Sequence, residues 1–195
     1  MQTRKPITLG IVSDTHIPDR MSALPEKLLT QLESKHVDAI LHAGDVCSQS
    51  VLDQLAEIAP VLAVQGNRDW LYGFKLPKVL DLTYNGVLLT LTHGHISIPI
   101  YFVDKFYYKL NGFQFERSHS NLVKHHPESE IIVFGHIHRQ VCKHVDGRWF
   151  FNPGASYPCL FNNYNPQFGF LTIDQDGEVT TELRSLNEDQ PISKS

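Results

Sequence analysis

Seven side chains in this 195-residue chain offer oxygen or imidazole donors just after short apolar runs: Asp14, His16, Asp45, Asn67, His93, His136 and His138. Such a mixture of carboxylate, amide and imidazole suits manganese, iron or zinc. Seven donors are too many for one tetrahedral ion, but they suffice for two ions if one carboxylate bridges. Two divalent ions about 3.5–4 Å apart can activate a hydroxide and stabilise both the attacking and the leaving oxygen at phosphorus. Each element alone is a weak signal. Asp14 and Asp45 could be polar residues at strand ends, and Gly66-Asn67 could be turn chemistry. Five such elements in one chain, each with a glycine or small residue beside it, are far less common by chance.

The densest of them is Gly135-His136-Ile137-His138, delivered by Ile131–Phe134. In extended backbone, residues two apart point the same way. Asp14 and His16 are expected to share a side, and so are His136 and His138.

The elements that must position these donors follow from periodicity. Ile7–Val12, Ala39–His42 and Val61–Val64 read as buried strands. Between them lie two helices. Leu24–Leu32 has Pro25 in its first turn, and the second is capped by Ser48 or Ser50, runs to about Ile58 and is stopped by Pro60. This alternation predicts a parallel sheet with helices packed on it, whose carboxyl ends carry the site. The second half predicts hairpins: Lys78–Leu82 with Val87–Leu91 across Asn85-Gly86, Val141–Val145 with Trp149–Phe151 across Asp146-Gly147, and Phe168–Ile173 with Val179–Leu186 across Asp176-Gly177. Residues 98–124 predict one or two helices. Their aromatics (Tyr101, Phe102, Phe106, Tyr107, Tyr108, Phe113 and Phe115) are expected in a helix core and a homo-oligomer contact, with an aromatic wall for a base or aryl group as the alternative. One domain is expected over 1–195, with a frayed polar tail from 187.

Composition adds boundaries. A net charge of −4 gives no footprint for nucleic acid. Ile7–Val12 is too short for a signal-peptide core or a membrane span. Cys47, Cys142 and Cys159 form no CxxC and read as free thiols of a reducing cytoplasm. Eleven histidines are many for this length. Outside the donor set, His42 reads as a core or supporting histidine, and His36, His119, His125, His126 and His144 as surface residues. Asp69 could orient its neighbours or cap the turn that follows.

Asp14-Thr15-His16, Gly44-Asp45, Gly66-Asn67-x-Asp69, His93-Gly94-His95 and Gly135-His136-x-His138 resemble, in order, the motif series of the calcineurin-like metallophosphoesterases. With Ser13–Arg20 and Asn152-Pro153-Gly154, the chain is similar to the compact bacterial and archaeal phosphodiesterases of that superfamily and to the small retromer subunit. The resemblance implies an α/β fold, a four-layer α/β/β/α sandwich of two mixed sheets flanked by helices. It implies two divalent ions, manganese preferred, with iron, zinc or nickel as options. Asp14, His16 and His138 would hold the first, Asn67, His93 and His136 the second, and Asp45 would bridge. Ser156 and the Asn152–Gly154 turn would support them, and His95 would line the cleft.

The implied reaction is hydrolysis of a small phosphate ester, most simply a phosphodiester, by a metal-activated hydroxide, with Asp45 and Arg68 in catalytic roles. Asn67, Arg68, His95 and Arg20 would contact substrate. Many relatives carry histidine where this chain has Arg68. A guanidinium cannot act as an acid near neutral pH, so aryl esters with good leaving groups are expected to be favoured. The alternative is a non-catalytic interaction scaffold on the same fold.

Overall fold

In the computed structural model, residues 4–94 and 115–187 are described. His95, the aromatics from Tyr101 to Phe113 and the tail beyond Asn187 lie outside that set. The elements are β1 (Ile7–Val12), α1 (Glu26–Ser34), β2 (Ala39–His42), α2 (Gln49–Ala56), β3 (Val61–Ala63), β4 (Val79–Tyr84), β5 (Val87–Thr92), α3 (Phe115–His125), β6 (Ile131–Val133), β7 (Gln140–Val145), β8 (Arg148–Pro153), β9 (Gln167–Ile173) and β10 (Val179–Ser185). Two short 3-10 turns, Asp69–Tyr72 and Leu160–Asn162, were not expected from the sequence.

Each sheet has five strands, in the orders β10-β9-β1-β2-β3 and β4-β5-β6-β8-β7. Strands β1, β2 and β3 run parallel, as do β5, β6 and β8, while the hairpin partners at the edges run antiparallel. Three apolar clusters fill the gaps between layers. Leu28, Leu32, Val51 and Leu55 of α1 and α2 pack on Val12, Ile40 and Phe168 of the first sheet. Leu9, Ile11 and Leu41 meet Leu89, Leu91, Ile131 and Phe151 between the sheets. Phe115 and Leu122 of α3 cover Ile132 and Phe150 on the outer face of the second sheet. The result is the four-layer α/β/β/α sandwich.

Boundaries moved where local chemistry overrode periodicity. Pro25 is extended and caps α1 from outside instead of lying in its first turn. The Ser48 hydroxyl accepts from the Ser50 amide at 3.2 Å, and α2 ends at Ala56, one turn before Pro60. Strand β8 runs on through Asn152 and Pro153, the first two residues of the expected Asn152–Gly154 turn. His119 is half-buried, with its ring 4.8 Å from that of Phe150, and His126 is also half-buried, so neither is a surface residue. His36, His125 and His144 are exposed as expected. All three cysteines are free thiols. Among the described residues, no helix is long and apolar enough to cross a membrane.

The sheets approach closely at Gly169 in β9. A β-carbon there would lie 2.6 Å from Phe151 Cζ and 2.8 Å from the Glu182 carbonyl oxygen. Phe151 is fully buried and cannot swing away. We expect Gly169→Ala to lower the unfolding free energy by about 1–3 kcal/mol, the usual cost of overpacking a filled core. Urea denaturation reads this as a lower midpoint; an unchanged midpoint would mean that the sheets can separate at no cost.

Candidate metal centre

The parallel strands of both sheets end at one edge of the sandwich. Asp14 and His16 follow β1, Asp45 follows β2, Asn67 follows β3, His93 follows β5, and His136 and His138 follow β6. Five of the seven donors do not sit in extended backbone. Asp14, His16, Asp45, His136 and His138 have φ of 52°, 51°, 56°, 71° and 55°. Each occupies the left-handed region that non-glycine residues seldom enter. The chain turns sharply at each strand end, so that amides as well as side chains face inward.

The two carboxylates are almost fully buried, and each divides its oxygens the same way. Asp14 Oδ2 accepts from the Ser13 hydroxyl at 2.5 Å and from the His136 amide at 3.1 Å. Its Oδ1 is buried with no hydrogen-bond donor and faces His138 Nε2 at 3.2 Å and His16 Nε2 at 3.8 Å. Asp45 Oδ1 accepts from the Arg68 amide at 2.7 Å. Asp45 Oδ2 faces His16 Nε2 at 3.6 Å and His93 Nε2 at 3.5 Å. Among the described residues, Asp14, His16, Asp45 and His138 bring one ligand atom each within 4.8 Å of one another.

A second group adjoins the first through Asp45. Asn67 Oδ1 lies 3.2 Å from His93 Nε2 and 3.1 Å from His136 Nδ1. His93 Nδ1 donates to the Ala43 carbonyl at 2.7 Å. A neutral His93 therefore presents a lone pair at Nε2, aimed at the oxygens of Asn67 and Asp45. Acceptors facing acceptors in a buried space call for a cation between them. His136 and His138 do not share a side: one reaches Asn67 and the other Asp14. Left-handed backbone at both breaks the alternation expected of a strand.

In this cluster a proton can fill the same role. Burial lowers the His93 pKa, but the charge and hydrogen bond of Asp45, the charge of Asp14 and the Ala43 carbonyl together lift it to about 9. Burial likewise opposes the charge on His138, but Asp14 raises it to about 10. Burial pushes Asp14 up, yet the imidazoles of His138, His93 and His16 hold it far below the usual carboxylate range. His42, fully buried, has its pKa lowered to about 4 mainly by desolvation. It hydrogen-bonds Thr15 at 3.1 Å, so it supports the β1 turn and does not join the donors.

Close approach explains two of the glycines. A β-carbon on Gly66 would lie 2.1 Å from Asp45 Oδ1, and one on Gly135 2.1 Å from Ser13 Oγ. The expected support from the Asn152–Gly154 turn is present: Asn152 Nδ2 donates to the Gly135 carbonyl at 2.7 Å. Ser156 donates its amide to Ser13 and its hydroxyl to the Gln167 carbonyl.

The superfamily's domain model matches residues 7–176. The chain belongs to the calcineurin-like phosphoesterase superfamily. It is similar to a probable metallophosphoesterase of Methanothermobacter thermautotrophicus, 28% identical over 169 residues, or 85% of this chain and 86% of that protein. Among solved structures it resembles a single mutant of Vps29 from Entamoeba histolytica, with TM-score 0.69 and 25% identity over 92% of this chain and 99% of the other. Wild-type Vps29 of that organism, solved in complex with zinc, aligns with TM-score 0.65 and 23% identity over 93% and 100%. A novel archaeal phosphodiesterase aligns with TM-score 0.61 and 20% identity over 91% and 100%. The last two likenesses are of fold.

Within this calcineurin-like cluster, Arg68 lies at the mouth, its guanidinium 3.0 Å from Asp19 Oδ2. Arg20 Nε is 3.5 Å from the same oxygen, and its side chain is half exposed. The sequence reading missed Asp19, Ser13 and Tyr157. The Tyr157 hydroxyl lies 3.2 Å from His138 Nδ1, and its ring packs edge-on against His16 with centroids 5.0 Å apart. Its place three residues after Gly154 was the one available signal.

Asp69 orients its neighbours. Its buried carboxylate accepts from the amides of Asp45 at 3.0 Å, Cys47 at 2.7 Å and Gly66 at 2.7 Å. An unpaired buried donor costs about 1–3 kcal/mol. We expect Asp69→Ala to lose roughly 3 kcal/mol of stability in denaturant unfolding and Asp69→Asn to lose less, because it keeps one acceptor. A loss below about 1 kcal/mol in both would show that water replaces the carboxylate.

Proposed function

We propose that this protein is a phosphodiesterase that works with two divalent cations, manganese preferred, held by Asp14, His16, Asp45, Asn67, His93, His136 and His138. The observation that carries this reading is the division of labour in the two carboxylates. Each gives one oxygen to the fold and turns the other into a space ringed by imidazoles. Asp45 Oδ2 faces both His16 and His93, which supports a shared role for this carboxylate. Such cations, when bound, supply Lewis acidity toward a phosphoryl oxygen and toward the attacking water.

The chain's own residues do the rest. The Ala43 carbonyl and the Tyr157 hydroxyl fix the ring orientations of His93 and His138, as supporting groups around metal-binding histidines do. Arg68 meets an equatorial phosphoryl oxygen by exchanging it for the Asp19 carboxylate, using the planar fork that suits oxyanions. Arg20, Asn67 and His95 complete the substrate contacts. The likeness to a structure described as an archaeal phosphodiesterase agrees with a diester substrate. Free thiols and a net charge of −4 agree with a single-domain cytoplasmic enzyme acting on small esters.

A second reading has its own support. The likeness to Vps29 and the exposed apolar side chains Leu160, Phe161 and Tyr164 favour a docking scaffold. Hydrolysis of bis(p-nitrophenyl) phosphate with added manganese, paired with metal analysis of the same sample, separates the two. The enzyme reading expects turnover, with Asp45→Ala lowering kcat at least a hundredfold and binding less metal. Full activity in that variant would overturn the mechanism, and metal-loaded protein without turnover would favour the scaffold. Arg68→His tests the clamp: the ratio of aryl to alkyl diester turnover should fall several-fold, and an unchanged ratio removes Arg68 from leaving-group selection.

A further inference from the structure

Seven large apolar side chains stand exposed among the described residues, and six of them sit on two turns. Trp70, Leu71 and Tyr72 belong to one; Leu160, Phe161 and Tyr164 lie on or just beyond the other. The first turn follows β3 and the second follows β8, parallel strands that end at the edge holding the metal cluster. They flank the cluster from different sides. Trp70 shares a cavity wall with Asn67 and His93, and the Phe161 ring lies 6.0 Å from that of His138.

Both turns are held firmly. Asp69 fixes the first through the amides of Asp45, Cys47 and Gly66. Buried Asn162 fixes the second: its side chain donates to the Ala155 and Tyr157 carbonyls and accepts from the Cys159 amide. Each turn is thus anchored by a buried polar side chain while its apolar ones face out. Trp70 is 74% exposed, Leu160 71% and Tyr164 66%. Clustered apolar surface kept in water in this way marks an interaction site.

Charge indicates the partner. The whole chain carries 21 acidic against 17 basic residues. The loops at the cluster's edge reverse this balance. Residues 17–25, 43–48, 65–78, 135–139 and 154–166 hold Arg20, Arg68, Lys75, Lys78 and Arg139 against one exposed carboxylate, Asp19. A protein interface centres on one contiguous apolar core. Two separate apolar tips with cations around them instead suit a fluid anionic surface. Tryptophan and tyrosine favour the interfacial level of a bilayer, and Lys and Arg are drawn to its anionic headgroups.

We propose that this edge docks on an anionic lipid bilayer, with the two turns seated among the headgroups and the cluster facing them. The chain lies on that surface without crossing it. The docking does not depend on the phosphodiesterase reading. The test is co-sedimentation of the full, manganese-loaded chain, freed of excess ion, with vesicles of phosphatidylcholine alone or mixed equally with phosphatidylglycerol. We expect binding to the mixed vesicles at least tenfold tighter, and weaker as salt rises. Trp70→Ser, Leu160→Ser and the pair Lys75→Glu with Lys78→Glu should each weaken it about fivefold.

No binding to the mixed vesicles, or equal binding by parent and all variants, overturns the proposal. Self-association that Leu160→Ser abolishes, without vesicle binding, assigns the turns to a second copy of the chain and overturns it too. Circular dichroism shows whether each variant folds; if one does not, the variant on the other turn carries the comparison. Failure to hydrolyse an aryl diester counts against the proposed enzyme alone, because vesicle binding is read without turnover.

Discussion

Two carboxylates buried where both sheets end set the terms for the surrounding structure. An ionised group out of water is tolerated only if it is paired and hydrogen-bonded. Asp14 and Asp45 meet the second condition with the Ser13 hydroxyl and with amides from loops far away in sequence. The first condition is left to whatever positive charge enters the space between them. Four histidines surround that space, so proton and metal ion compete for one role. The sandwich supplies the rigidity: parallel strands on both sides bring seven donors to one edge without a long loop.

The surrounding shell makes that arrangement stiff. Asp69 ties the loops after β2 and β3 together through three amides. Asn152 holds the loop after β6 against the turn after β8. Tyr157 packs on the two histidines nearest Asp14. Because Tyr157 follows β8 of one sheet and packs on His16 after β1 of the other, the sheets cannot slide past each other without disturbing the cluster. Function and interlayer packing are therefore coupled.

Much of this was legible in the sequence, for a physical reason. Buried parallel strands are short apolar runs, and the motifs that end them are polar and contain glycine or small residues, so Asp14, Asp45, Asn67, His93, His136 and His138 announced themselves. What was not legible depends on distance in sequence or on backbone geometry. Asp19 and Arg68 meet across 49 positions, and Tyr157 reaches His138 across 19. The 3-10 turn Asp69–Tyr72 is too short to show a period. The divergence of His136 and His138 could not be read from an alternation rule, because both residues leave extended backbone.

The left-handed backbone at five of the donors also bears on how such a chain can change over time. Conformations of this kind cost about 1–3 kcal/mol each and persist only where surrounding contacts enforce them. Glycine or asparagine at these positions would relieve that cost while removing the chemistry. A lineage released from selection for turnover would thus gain stability by shedding its donors, and the sandwich would survive the loss. A fold of this design lends itself to reuse as a passive platform, with altered donor positions as the trace of its former trade.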